Sequence, residues 1–191
     1  MSLQFLIDSF KDCPIIDKNG YKYFVHPLTD GAIPIDPSLL IMASHELLHL
    51  IRSKVNLDDV DYILAPEAMG LPIATTLGNR TGKPWLVIRK RKYGLDGELE
   101  VHQKTGYSES KMYINGVRPG NCVIIIDDVV STGGTISAIG DILKVNNINL
   151  LGSFALFEKN SATKSNNDIH SLVNIITDKS GIREVTLSSQ N

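Results

Sequence analysis

The chain has 191 residues, 42% hydrophobic and 21% charged, with a formal charge of −2. That balance excludes a disordered chain and leaves no basic surplus for general nucleic-acid binding. The apolar runs, about five or six residues at most, fall short of the ~20 that a bilayer span needs. The first residues, MSLQFLIDSFKDC, have no basic stretch and are interrupted by Asp8, unlike a secretory signal. Cys13 and Cys122, without a CxxC spacing, suit a reducing cytoplasm.

In chain order, residues 3–11 predict a short helix and residues 21–26 (YKYFVH) a short strand, followed by a loop carrying Pro27, Gly31, Pro34 and Pro37. Asp36-Pro37, an N-cap with proline at the first helical position, opens a helix to about Lys54. Residues 61–65 predict a strand, 71–79 a helix and 85–89 (WLVIR) another strand. Residues 90–111 are long, polar and without a core pattern. Residues 122–126 (CVIII) are apolar on both faces, as in a buried parallel sheet. A helix from Gly134 to about Val145 follows, with Ile136, Ile139, Ile142 and Leu143 on one face and Ser137, Asp141 and Lys144 on the other. Residues 150–157 predict a strand, and in the tail 171–177 and 184–187 read as short edge strands. Strands separated by single helices imply an α/β fold, a doubly wound parallel sheet in one domain over residues 1–191.

The densest chemistry lies in residues 122–135, CVIIIDDVVSTGGT. A buried strand ends in two carboxylates, Asp127 and Asp128. A turn of Ser131, Thr132, Gly133, Gly134 and Thr135 leads into the helix. Successive N–H groups in such a turn, with the positive end of the helix dipole behind them, form an anion cradle. Glycine allows a phosphate to approach closely and permits positive φ. Carboxylates beside a phosphate would repel it, so the pair must serve ribose hydroxyls, or a Mg2+ that the phosphates share.

This run resembles the phosphoribosyl-pyrophosphate (PRPP) signature of the type I phosphoribosyltransferases. The resemblance implies that Asp127 and Asp128 hold the ribose 2′- and 3′-hydroxyls while Ser131, Thr132, Gly133, Gly134 and Thr135 hold the 5′-phosphate. Glu67, Ala68, Met69 and Gly70 match the family's pyrophosphate loop. Arg89, Lys90, Arg91 and Lys92, with the stretch behind them, match its flexible closing loop, about 90–112. On a strand, Arg89 and Arg91 face opposite to Lys90 and Lys92, so at most half of them aim at one ligand. Arg89 is the catalytic candidate; Lys90 and Lys92 are candidates for the pyrophosphate. Tyr23, Phe24 and Val25 fall in the family's N-terminal hood, about 14–36. Phe24, Val25, Val129 and Lys159 are candidates for the purine. The similarity is to archaeal-type hypoxanthine and related purine enzymes, in EAMG and in GELEVHQKTGYS. It implies purine salvage with Mg2+, PRPP and a purine base as partners, in a cytoplasmic homodimer that binds neither nucleic acid nor membrane.

The chain departs from family patterns in three places. Met69 stands where adenine-type enzymes carry arginine, Gly106, aligned on Tyr107, where they carry glutamate, and Ser131 where hypoxanthine-guanine enzymes of the mammalian and bacterial kind carry an aspartate base. The residue that handles the base's proton is therefore unassigned among Glu98, Glu100 and His102. Transfer to adenine or xanthine, and a non-catalytic PRPP-sensing regulator, are the alternatives. Residues 45–49, HELLH, fit the zinc-protease pattern HExxH. Helical projection nevertheless puts His45, Glu46, His49 and Arg52 opposite the apolar face, toward solvent, and no zinc site is expected.

Overall fold

The computed structural model describes residues 3–18, 21–105, 108–159, 169–178 and 181–188. Its elements are α1 (Gln4–Asp8), β1 (Ile15–Lys18), β2 (Tyr21–Phe24), α2 (Pro27–Asp30), α3 (Pro37–Lys54), β3 (Tyr62–Pro66), α4 (Gly70–Thr81), β4 (Trp85–Ile88), β5 (Leu99–Thr105), β6 (Ser108–Ile114), β7 (Cys122–Val130), α5 (Gly134–Val145), β8 (Asn149–Lys159), β9 (Ile169–Asp178) and β10 (Gly181–Leu187). Among the described residues the central sheet has the order β10-β9-β8-β7-β3-β4, parallel except for β10.

Strand β7 shows why the sheet is covered on both sides. Ile124 and Ile126 pack with Ala43, Leu47, Ile51, Ile73 and Leu77 of α3 and α4. Val123 and Ile125 pack with Ile136, Ile139 and Leu143 of α5 and with Val101 and Met112. Side chains alternate across a strand, so each face meets its own layer. Helix α3 starts where the Asp36-Pro37 signal puts it, with the Asp36 carboxylate accepting the Ser38 N–H at 2.8 Å.

Four expectations are corrected. Residues 90–111 are not structureless: β5 and β6 pair antiparallel, and Val101 and Ile114 are fully buried. The hairpin joins the sheet through Arg89, which exchanges backbone hydrogen bonds with Tyr113 at 2.9 and 2.7 Å. The N-terminal strand stops at Phe24 and pairs with β1, where no strand is expected, and α2 begins inside the expected loop. Strand β7 runs on to Val130, so Asp127 and Asp128 lie within it rather than beyond its end. In the tail, β9 is an inner strand and β10 is the edge. No helix among the described residues is long and apolar enough to cross a membrane. The side chains of Tyr21 and Tyr23 lie outside what the structure describes.

The hood, β1, β2 and α2, is pinned to the sheet by His26. Its ring stacks on Phe10 at 4.4 Å and meets the edge of Phe157 at 5.0 Å. The Leu28 N–H donates to Nδ1 at 3.1 Å, so the ring proton sits on Nε2 and is donated to Ser9 Oγ at 2.9 Å. Ser9 passes its own proton to the Leu6 carbonyl at 2.6 Å. Both nitrogens are satisfied by the neutral ring, and burial lowers the pKa of His26 from 6.5 to about 4, against a smaller opposing pull from Asp30. The unfolded chain therefore binds the extra proton between these two values. The stabilisation is complete above pH 6.5 and is lost as pH falls toward 4, by about 3 kcal/mol at most. A plot of thermal midpoint against pH should show this acid-side fall in the wild type, and the step should be missing in His26→Gln.

Candidate active site

The site is built at the carboxyl end of β7. Asp128 is buried, and its own N–H donates to Asp127 Oδ1 at 2.9 Å. Burial pushes both carboxyls above the usual carboxylate range, and for Asp128 the neighbouring Asp127 charge adds to it. Among the described residues no lysine, arginine or histidine lies within 4.0 Å of either one. Two hard oxygen donors without a countercharge suit hydroxyl donors or a Mg2+ shared with phosphates.

The turn that follows is closed by Gly133, at φ 72°, the left-handed conformation that glycine adopts without strain. Its carbonyl accepts the Ser137 N–H at 2.9 Å, which starts α5. Asp127, Val129 and Ser131 to Thr135 line a cavity of about 290 Å3, with the α5 N-terminus at its floor. A larger groove of about 840 Å3 lies at the other end of the sheet, where β7 and β8 begin, and the described part of its lining has no paired acids or glycine turn.

The loop between β3 and α4 comes close to the acid pair because residue 70 is glycine. A Cβ there would sit 3.0 Å from the Ile126 carbonyl oxygen and 3.5 Å from Asp127 Oδ1. Ala68 is exposed, while Met69 reaches the hood: a Cβ on Gly31, at φ +61°, would meet its sulfur at 2.8 Å. The Glu67 carboxylate points sideways, accepting the Lys90 N–H at 2.8 Å and lying 4.0 Å from Arg89 Nη1. It latches the basic strand end to this loop. Lys90 is exposed, and Lys92 Nζ lies 4.0 Å from Glu100.

On the hood side, Phe24 and Val25 are buried, and Lys159 Nζ stands 5.7 Å from the centre of the Phe24 ring. Val129 pairs in register with Phe157, two residues before Lys159. Phe24 and Lys159 thus lie together at the end of β8 with Val129 on the neighbouring strand, while the Val25 N–H is donated to the Pro14 carbonyl at 2.8 Å.

The unassigned acids are otherwise engaged. Glu98 accepts the N–H groups of Tyr93 and Gly94 and the Asn115 amide, each at 2.9 Å, and these hydrogen bonds, the Asn115 one first, lower its pKa. Glu100 meets Lys111 at 2.6 Å and His102 at 3.0 Å on the hairpin face, and the Lys111 hydrogen bond lowers its pKa as well. Gly106 and Tyr107 lie outside the described residues. The HELLH histidines are accounted for without a metal. Arg80 donates to His45 Nδ1 at 2.9 Å, so the His45 proton faces His49 Nε2 at 3.1 Å, where a metal would need a bare nitrogen. The sequence reading missed Tyr93, the Glu98 staple and the seat of Met69 on Gly31; none has a periodic signal.

Residues 41–190 match the family described as phosphoribosyl transferase domain. The chain belongs to the phosphoribosyltransferase family. This phosphoribosyltransferase is 42% identical over 185 residues to a protein named hypoxanthine/guanine phosphoribosyltransferase from Methanobrevibacter ruminantium, covering 97% of this chain and 91% of that one. It is 54% identical over 134 residues to HGPRTase-like protein 2 from Haloterrigena turkmenica, covering 70% of this chain and 71% of that one. Among solved structures it resembles adenine phosphoribosyltransferase from Thermoanaerobacter pseudethanolicus, with a TM-score of 0.73 and 22% identity over 91% of this chain and 99% of that one. The last likeness speaks for the fold: the mostly parallel, doubly wound sheet is that of the type I enzymes.

For a phosphoribosyltransferase with this buried pair, the sign of the pH effect follows. A carboxyl whose folded pKa is raised contributes most below its unfolded value, and its contribution is lost as pH rises toward the folded one. Asp128→Asn should therefore raise the thermal midpoint of the ligand-free protein at pH 8 by several degrees while leaving it nearly unchanged at pH 4. Calorimetric scans at the two pH values check this.

Proposed function

We propose that the protein transfers the 5-phosphoribosyl group of PRPP to a 6-oxopurine, hypoxanthine or guanine, giving IMP or GMP and pyrophosphate. The observation that carries the reaction is the adjacent pair of half-buried Asp127 and buried Asp128, two residues before the glycine turn at a helix N-terminus, with Gly70 bringing a second loop against it. The choice of base rests on the relative named for hypoxanthine and guanine, matched over nearly the whole chain. Lys159 beside Phe24 supplies a donor of the kind a 6-oxo group requires.

In this reading a ring nitrogen of the purine attacks C1 of the ribose from the face opposite the leaving group. The N–C1 bond forms, the C1–O bond to pyrophosphate breaks, and the nitrogen releases its proton. Positive charge builds on the sugar and negative charge on the pyrophosphate. The work of the protein is positioning and electrostatics. Ser131 to Thr135 hold the 5′-phosphate with N–H and hydroxyl donors, and Asp127 and Asp128 orient the ribose diol. Main-chain amides of residues 68–70, with Arg89, face the leaving group. Asp127 and Asp128 are also the residues that fit a Mg2+ brought with PRPP, which supplies charge neutralisation on the pyrophosphate when bound. The working form is a cytoplasmic homodimer whose partners are PRPP and the purine, with neither nucleic acid nor membrane among them.

The test is a PRPP- and Mg2+-dependent assay run in parallel with hypoxanthine, guanine, adenine, xanthine and orotate. Hypoxanthine or guanine should give the highest kcat/KM, and Asp128→Asn should lower it about a hundredfold or more. Preference for adenine would replace the base assignment. PRPP binding without turnover of any base would replace the enzyme by a PRPP-sensing protein.

A further inference from the structure

Tyr93 lies in the turn between β4 and β5 and is 53% exposed, yet its place is tightly specified. Its N–H and that of Gly94 are bound by the two oxygens of Glu98, and the Asn115 amide holds the same carboxylate from the hairpin base. Gly94 and Gly97, at φ +71° and +78°, make the turn possible. What this arrangement fixes in space is an aromatic ring, and two guanidinium groups collect on it. The Arg89 and Arg91 carbons lie 5.7 and 5.6 Å from its centre. The ring face attracts cations and offsets part of the repulsion between the two arginines.

The pair is short of negative charge. Glu67 touches Arg89 only at 4.0 Å, and among the described residues no carboxylate lies within 4.0 Å of Arg91. The backbone at Arg89 is fixed by Tyr113, and Lys90 is fixed by Glu67, so the pair stands beside the 66–70 loop. Two planar forks held together with little countercharge are suited to two linked phosphoryl groups.

We infer that Tyr93 is a positioning residue whose ring assembles Arg89 and Arg91 into a preformed receptor for the pyrophosphate of the substrate and product. The inference rests on the reading of the 66–70 loop as the leaving-group side. It adds Arg91 to the groups that touch the leaving group and makes the receptor independent of which base is used.

The experiment measures Mg-pyrophosphate binding to the full chain by calorimetry, and KM for PRPP and for the purine by steady-state kinetics. The variants are Tyr93→Phe, Tyr93→Leu, Arg91→Gln and the double variant Tyr93→Leu/Arg91→Gln. Tyr93→Leu and Arg91→Gln should each weaken pyrophosphate binding and raise KM for PRPP about tenfold, with KM for the purine unchanged. Tyr93→Phe keeps the ring face and should stay within about twofold of the wild type. The double variant should be little worse than the single ones, because both remove the same assembly. Wild-type affinity in Tyr93→Leu would overturn the proposal, and so would equal losses in Tyr93→Phe and Tyr93→Leu or a matching rise in the purine KM. A wild type that binds pyrophosphate in this pattern but transfers to no purine would keep the receptor and overturn the proposed reaction. A wild type that does not bind pyrophosphate would overturn both.

Discussion

Asp127 and Asp128 stand next to each other inside β7, directly after Val123 to Ile126, which are fully buried. In that setting burial pushes both carboxyls above the usual range, and the neighbouring Asp127 charge raises Asp128 further. The fold tolerates this unfavourable pair where the sheet meets the cleft. A hydroxyl-rich sugar or a hard cation relieves it, and among the described residues no lysine, arginine or histidine within 4.0 Å does so. Much of the surrounding structure serves to keep the pair in place. The sheet buries β7 on both faces, Gly70 allows α4 to approach, and Gly133 turns the chain into α5 so that N–H groups, not side chains, meet a phosphate. Stability given up at a site and restored by its ligand is a common arrangement in enzymes.

Around this centre the charged side chains are distributed with little redundancy. The Glu67 carboxylate holds the basic strand end, Glu98 holds the turn that carries Tyr93, and Glu100 gathers Lys92, His102 and Lys111 on the hairpin. The net charge of −2 therefore hides a local division. Acids on the hairpin and latch hold the frame, while Arg89 and Arg91 keep little countercharge. The hood is joined to the same frame by His26 between Phe10 and Phe157 and by Met69 against the Gly31 turn, among other contacts. Met69 thus links the loop beside the acid pair to the hood, at a position where adenine-type enzymes place an arginine.

Elements whose signals are local were legible in the sequence. Asp36-Pro37 caps α3, the apolar run from Cys122 marks β7, and the four-residue face spacing marks α5. The hairpin was not legible, because its core alternation amounts to Leu99 and Val101 on one strand and Met112 and Ile114 on the other, set in polar surroundings. The β1–β2 pair had a better signal, Asn19-Gly20 between two short alternating runs, but it is brief and easily read as part of a loop. At the site, the acid pair and the glycine turn form one local run visible in the sequence, while the roles given to the residues around them rest on the family resemblance. The roles of Glu98 and Tyr93 depend on partners brought together by the fold, Asn115 and the two arginines, and no local pattern announces them.

A count of protons tests the state of the acid pair. If the buried pair carries a proton when empty and gives it up to hydroxyl donors and Mg2+, binding of Mg-PRPP should release protons. Calorimetric titrations at neutral pH in buffers of different ionisation enthalpy measure this number. Net release is expected from the wild-type protein, and a markedly smaller release from Asp128→Asn. Equal proton counts in the two proteins, or binding without any release, would contradict it.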